Sequence, residues 1–167
     1  MIVVSDSTPL ISLMKADRLD ILHQLFGEIL IPDAVFNELT ANDRYTEEAA
    51  LICNSSYIHR VSIEDTKAVS LLQRATGLDL GESEAIIYAD DNKADLLLMD
   101  EASGRRIAMS MGLEIMGTVG VLVNGYRAGY LRAEEVEEAL VLMRNANIRI
   151  SDRLIRNALE IVYDTKE

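Results

Sequence analysis

Five short apolar runs separated by stretches of helical spacing constrain this chain most. They are IVVS (2–5), EILI (28–31), YIHRVSI (57–63), DLLLM (95–99) and EIMGT (114–118). Strand-like runs alternating with helix-like segments define an α/β domain around a central, mainly parallel β-sheet flanked by helices. The intervening segments read as helices. Leu10, Leu13 and Met14 share one face, and Leu19, Ile21, Leu22 and Leu25 another. Pro32 and Asp33 open PDAVFNELT. Further helices are predicted over 46–54, over 64–76 with a stop at Gly77, over 82–92 after Gly81, and from Gly104 to Met111. From Val119 the tail is helical, in two or three pieces around IRIS (148–151).

Acids stand where these apolar stretches begin or end. Asp6 follows the first strand, Glu38 lies one turn into the PDAVFNEL helix, Glu82 opens GESEAI, and Asp100 follows DLLLM. A carboxylate beside a buried strand is costly to leave unpaired. Four of them converging would repel one another unless a cation intervened. An all-oxygen donor set suits Mg²⁺ or Mn²⁺. Such ions activate water and stabilise the leaving oxygen in phosphodiester cleavage.

Each acid also has a plainer reading. Asp6-Ser7-Thr8 makes a turn and helix cap, Glu38 a solvated helix surface, and Glu82 and Glu84 favourable charges in a first helical turn. Glu82 and Glu84 are two apart and cannot face the same way. Asp100 is the most telling, because a surface loop has no need of an acid against so apolar a strand. Glu101 is a further ligand or faces water. Thr8 and Arg105 are the candidates for holding substrate phosphate.

Composition limits the alternatives. The 167 residues suit one domain with a substantial core, 49% of them hydrophobic. Cys53 is the sole cysteine, and His23 and His59 are scattered, so no thiol or histidine metal spacing exists. No apolar run reaches the ~18 residues of a membrane span, and MIVV is too short for a signal-peptide core; a cytoplasmic, non-membrane protein is expected. A net charge of −12 argues against broad, nonspecific nucleic-acid binding; a small substrate footprint survives that balance and a long duplex footprint does not.

Taken together, the strand leading into DSTPLI, PDAVFNEL, GESEAI and ADLLLMDEASGRRIA resemble the PIN-domain family of metal-dependent ribonucleases. GTVGVL (117–122) adds to a likeness spanning residues 1 to about 122. The resemblance implies a three-layer PIN-like fold over 1–122, with a helical C-terminal extension (123–167) packed on the same domain. It implies Mg²⁺ or Mn²⁺ bound by Asp6, Glu38, Glu82 and Asp100, with Glu84 and Glu101 as secondary candidates, and hydrolysis of single-stranded RNA. The 18-residue interval from Glu82 to Asp100 favours Glu82, whereas alignment on the following AII favours Glu84. Some members of the family are toxins restrained by small antitoxin proteins.

Two other readings compete. One is a catalytically weak or inactive PIN-fold interaction protein. The other is a haloacid-dehalogenase-like phosphatase, which needs a second Asp where this chain has Thr8. The tail bears on partners, with Val136, Ala139, Leu140 and Met143 on one face and Leu154, Ile155, Leu159, Ile161 and Val162 on another. These faces either cap the core or form a homodimer or antitoxin interface.

Overall fold

The computed structural model describes residues 1–41 and 43–164. Its elements run β1 (Val3–Ser5), α1 (Ser7–Lys15), α2 (Ile21–Phe26), β2 (Ile29–Pro32), α3 (Asp33–Thr40), α4 (Thr46–Asn54), β3 (Ile58–Val61) and α5 (Thr66–Thr76). They continue with α6 (Leu80–Asp91), β4 (Leu96–Leu98), α7 (Ala102–Ser110), β5 (Ile115–Met116), α8 (Thr118–Arg127), α9 (Ala133–Asn145) and α10 (Asp152–Asp164). The strands form one sheet in the order β3-β2-β1-β4-β5, with every adjacent pair parallel.

Alternation along the strands divides the apolar side chains between two cores, because successive residues point to opposite faces. Val3, Ile29, Ile31 and Leu98 join the core that also takes in residues of α1, α2, α3, α8, α9 and α10. Val4, Leu97 and Met99 face Ala85, Ile86 and Ala89 of α6 and Ala108 of α7. Val136, Leu140 and Met143 of α9 and Ala158 and Val162 of α10 are buried in the first core, so the tail's apolar faces are largely spent on this domain.

The chain begins in the middle of the sheet, moves outward through β2 and β3, then crosses back to lay β4 on the other side of β1. Connections from neighbouring strands diverge there and leave a crevice at the C-terminal strand ends. Asp6 and Asp100 both lie at that edge.

Several elements start or end elsewhere than the sequence predicts. Helix α1 starts at Ser7, not Leu10, which makes Asp6 its N-cap. Helix α6 starts at Leu80, not residue 82, because Asp79 and Glu82 cap one another's backbone N–H groups; Gly81 is therefore inside the helix. Helix α7 starts at Ala102, two residues before Gly104. The strand expected over 57–63 is ordered as a ladder only at Ile58–Val61, where β2 pairs with it, and the last strand shrinks to Ile115–Met116. The tail contains three helices.

Candidate functional site

Asp6 anchors the site. Its backbone N–H donates to the Leu98 carbonyl at 3.0 Å, which continues the β1–β4 ladder by one residue and holds the side chain at the crevice. The residue is only 2% exposed. Burial pushes its carboxyl pKa from an ordinary 3.8 up to about 7; a hydrogen bond from the Ser7 backbone opposes this, and the charges of Asp79, Glu82 and Glu38 reinforce it.

Glu38 comes from the exposed side of α3, but its carboxyl leans inward. A Cβ placed on Gly81 would lie 3.5 Å from Glu38 Oε2 and 3.6 Å from Asp79 Oδ1, so both acids converge on the first turn of α6. Desolvation raises the Glu38 pKa, a hydrogen bond from the Ser7 hydroxyl lowers it, and the Asp79 charge raises it again. The absence of a side chain at Gly81 leaves room for this approach.

Glu82 does two things. Its Oε2 accepts the Asp79 N–H at 3.0 Å, while its own N–H donates to Asp79 Oδ1 at 2.8 Å. Its Oε1 lies 3.3 Å from where a Gly104 Cβ would be, so it reaches the start of α7. The Glu82 pKa is raised chiefly by burial, countered by the Asp79 backbone hydrogen bond and increased by the Asp79, Glu101 and Glu38 charges. Asp6, Glu38, Asp79 and Glu82 therefore feel one another electrostatically, and Glu101 joins them through Glu82. Among the described residues no ion pair with Lys, Arg or His reaches any of these five acids.

The other sequence candidates occupy distinct positions. Asp100 is committed to the start of α8, where Oδ1 accepts the Thr118 N–H at 2.7 Å and Oδ2 the Thr118 hydroxyl at 2.6 Å. It borders the same groove as Thr8 and Glu101. Glu84 points away: its Oε2 accepts the Ala34 N–H at 2.8 Å and so caps α3. The divergence of Glu82 and Glu84 follows from their two-residue spacing on a helix. Arg105 donates from Nη1 to the Met99 carbonyl at 2.9 Å and pins the bend after β4.

Sequence reading missed Asp79, Ser7 and Thr118. The first was accessible, because Asp79-x-x-Glu82 has the spacing of a capping box just ahead of an apolar helix. Ser7 and Thr118 had no comparable signal, since each matters through a partner distant in sequence.

The donor chemistry of the cluster, carboxylates that form no ion pair among the described residues, suits a hard divalent ion. The spacing is wider than a closed cage: among the described residues, no group of three or more His, Cys, Asp or Glu is placed to hold a metal. A family model described as PIN domain matches residues 2–164, and the chain belongs to that family. No curated protein matches the chain. Among the described residues no helix is long and apolar enough to cross a membrane.

Proposed function

We propose that this PIN domain is a Mg²⁺- or Mn²⁺-dependent endoribonuclease acting on single-stranded RNA. The observation that carries the reading is the gathering of Asp6, Glu38, Asp79 and Glu82 at the edge of the sheet, with no ion pair to a cationic side chain among the described residues. When bound, the divalent ion would supply charge neutralisation and Lewis-acid activation at the phosphodiester. Asp6, Glu38 and Glu82, with Asp79 and Asp100 beside them, are the residues that would hold it.

The chain's own groups prepare that site. The Ser7 hydroxyl orients the Glu38 carboxyl, and the Asp79 N–H fixes one oxygen of Glu82. Thr118 locks Asp100 through both oxygens, which fixes its orientation before any ligand arrives. At neutral pH the Asp6 carboxyl stands near half protonation without a cation, so it releases a proton as positive charge enters.

The wider spacing of the acids favours a second reading, an interaction protein of the PIN fold that does not turn over substrate. Val141 and Leu142 of α9 and Leu154 and Tyr163 of α10 remain exposed, and they are the residues through which a second copy or a small antitoxin would dock. The haloacid-dehalogenase-like alternative loses its footing with the family assignment. One experiment separates the two remaining readings. The purified chain is titrated with Mn²⁺ and then incubated with a single-stranded oligoribonucleotide. Cleavage that disappears in Asp6→Asn is expected; metal uptake with no cleavage under any condition would leave only the interaction protein.

A further inference from the structure

The crevice at Asp100 and Glu101 opens into a groove of about 510 Å³ whose other boundary is the connector between α9 and α10. That connector contains the IRIS segment, which the sequence marks only as a break between helices. It is pinned at both ends. Asn147 takes a left-handed backbone (φ 63°), and the Ile148 N–H then donates to the Met143 carbonyl at 3.0 Å. At the other end the Ser151 hydroxyl accepts the Leu154 N–H at 3.1 Å and caps α10. Arg149 is held midway between them.

Two observations besides the acids point to a ligand here. Ser12, on α1, lines the groove and is 1% exposed, yet its hydroxyl has no hydrogen-bond partner among the described residues. A buried hydroxyl left in that state is costly unless a ligand supplies the partner. Arg149 is exposed and, among the described residues, pairs with no acid, and of the arginines it is the one on the groove wall. A groove with acids at one end and an uncommitted guanidinium along its wall suits a ligand with spaced negative charges. One phosphate can lie over a cation at the acids while the next meets arginine.

We infer that this groove seats the RNA strand next to the scissile bond, with Arg149 on a backbone phosphate and the Ser12 hydroxyl on the same nucleotide. Ile148, Ile150 and Leu154 present apolar surface to the ribose or base. The volume falls within the ~300–1,000 Å³ of ligand pockets and suits a short single strand. The substrate class rests on the ribonuclease reading above; the position of the strand rests on the groove. Arg149 and Ser12 are substrate-positioning residues.

The test uses the full chain carrying Asp6→Asn to stop cleavage, with Mn²⁺ present, and follows anisotropy of a labelled oligoribonucleotide across a salt series. Adding Arg149→Gln is expected to weaken binding about five- to tenfold and to reduce the log–log salt slope by about 0.7, the loss of one phosphate contact on a single strand. Arg149→Lys should restore most of the slope, and Ser12→Ala should weaken binding without altering it. In the otherwise wild-type chain, which keeps Asp6, Arg149→Gln should raise KM and leave kcat unchanged. Equal affinity and equal slope in Arg149→Gln, from a chain that still cleaves RNA, would overturn the groove and spare the nuclease. Arg149-dependent binding by a chain that never cleaves RNA would support the groove and sink the nuclease. A chain that neither binds nor cleaves RNA removes both.

Discussion

Replacing Asp6 with asparagine should stabilise the metal-free protein, and by an amount that depends on pH. The buried carboxyl has a pKa near 7 in the folded chain against an ordinary 3.8. Below pH 3.8 both folded and unfolded chains carry the proton, and the group adds no pH dependence. Between about 4 and 7 the unfolded chain gives up its proton while the folded chain keeps it, so wild-type stability falls as pH rises. Above pH 7 the folded protein must ionise a buried acid, and the full penalty of roughly 4 kcal/mol applies. Asparagine keeps an oxygen for the Ser7 backbone and has no charge to bury. Urea denaturation of both proteins in EDTA, from pH 4 to 8.5, should therefore give two curves that meet near pH 4 and separate steadily to pH 7. In thermal melts at pH 8 the midpoint temperature should differ by on the order of 10 °C, since each kcal/mol moves a domain of this size by about 2–4 °C. Parallel curves, or an Asp6→Asn protein less stable at pH 8 than wild type, would refute both the burial of this charge and the repulsion around it.

Asp100→Ala should act in the opposite direction, costing about 1–3 kcal/mol in urea denaturation because it strands the Thr118 N–H and hydroxyl that it satisfies. Glu84→Ala should cost about 0.5–2 kcal/mol as a lost cap on α3 while leaving the Mn²⁺ affinity, measured by calorimetry, unchanged. The Mg²⁺ and Mn²⁺ affinity of the wild-type chain should climb up to about tenfold per pH unit toward pH 7 and flatten above it, as the Asp6 proton ceases to compete. Calorimetry in buffers of different ionisation enthalpy should detect that proton leaving at pH 6 and not at pH 8.5.

The strands and their parallel arrangement were legible because short apolar runs and helical spacings carry both the identity and the burial of each element. Helix starts were less so. Placing α1 at Leu10 followed the apolar spacing, but Asp6, Ser7 and Thr8 had already turned the chain, and capping chemistry decided the boundary. The same error at α6 hid Asp79: reading Gly81 as a breaker put the helix start after it, although the Asp79–Glu82 pair had closed the first turn around that glycine. The neighbourhood of Asp6, Glu38 and Glu82 was foreseeable from resemblance and from strand ends. The engagement of Asp100 by Thr118 and of Glu84 by Ala34 was not, since each joins elements 18 and 50 residues apart through side-chain geometry alone. Arg105 illustrates the same limit, its guanidinium turned to the chain's own Met99 carbonyl.

Several helices begin at the sheet edge where the acids collect. Asp6 is the N-cap of α1, Asp79 of α6 and Glu101 of α7, and Asp100 accepts from the first residue of α8. Each N-terminus carries roughly half a positive charge from its aligned peptide dipoles, falling off within the first turn. Each supplies a local positive potential to the carboxylate at its own first turn, built from backbone and therefore permanent. The fold can gather its acids without waiting for an ion to tie them together, unlike small domains whose metal is the keystone of folding. On the proposed metal-dependent reading, an ion would meet a scaffold already assembled and would leave it standing on dissociation.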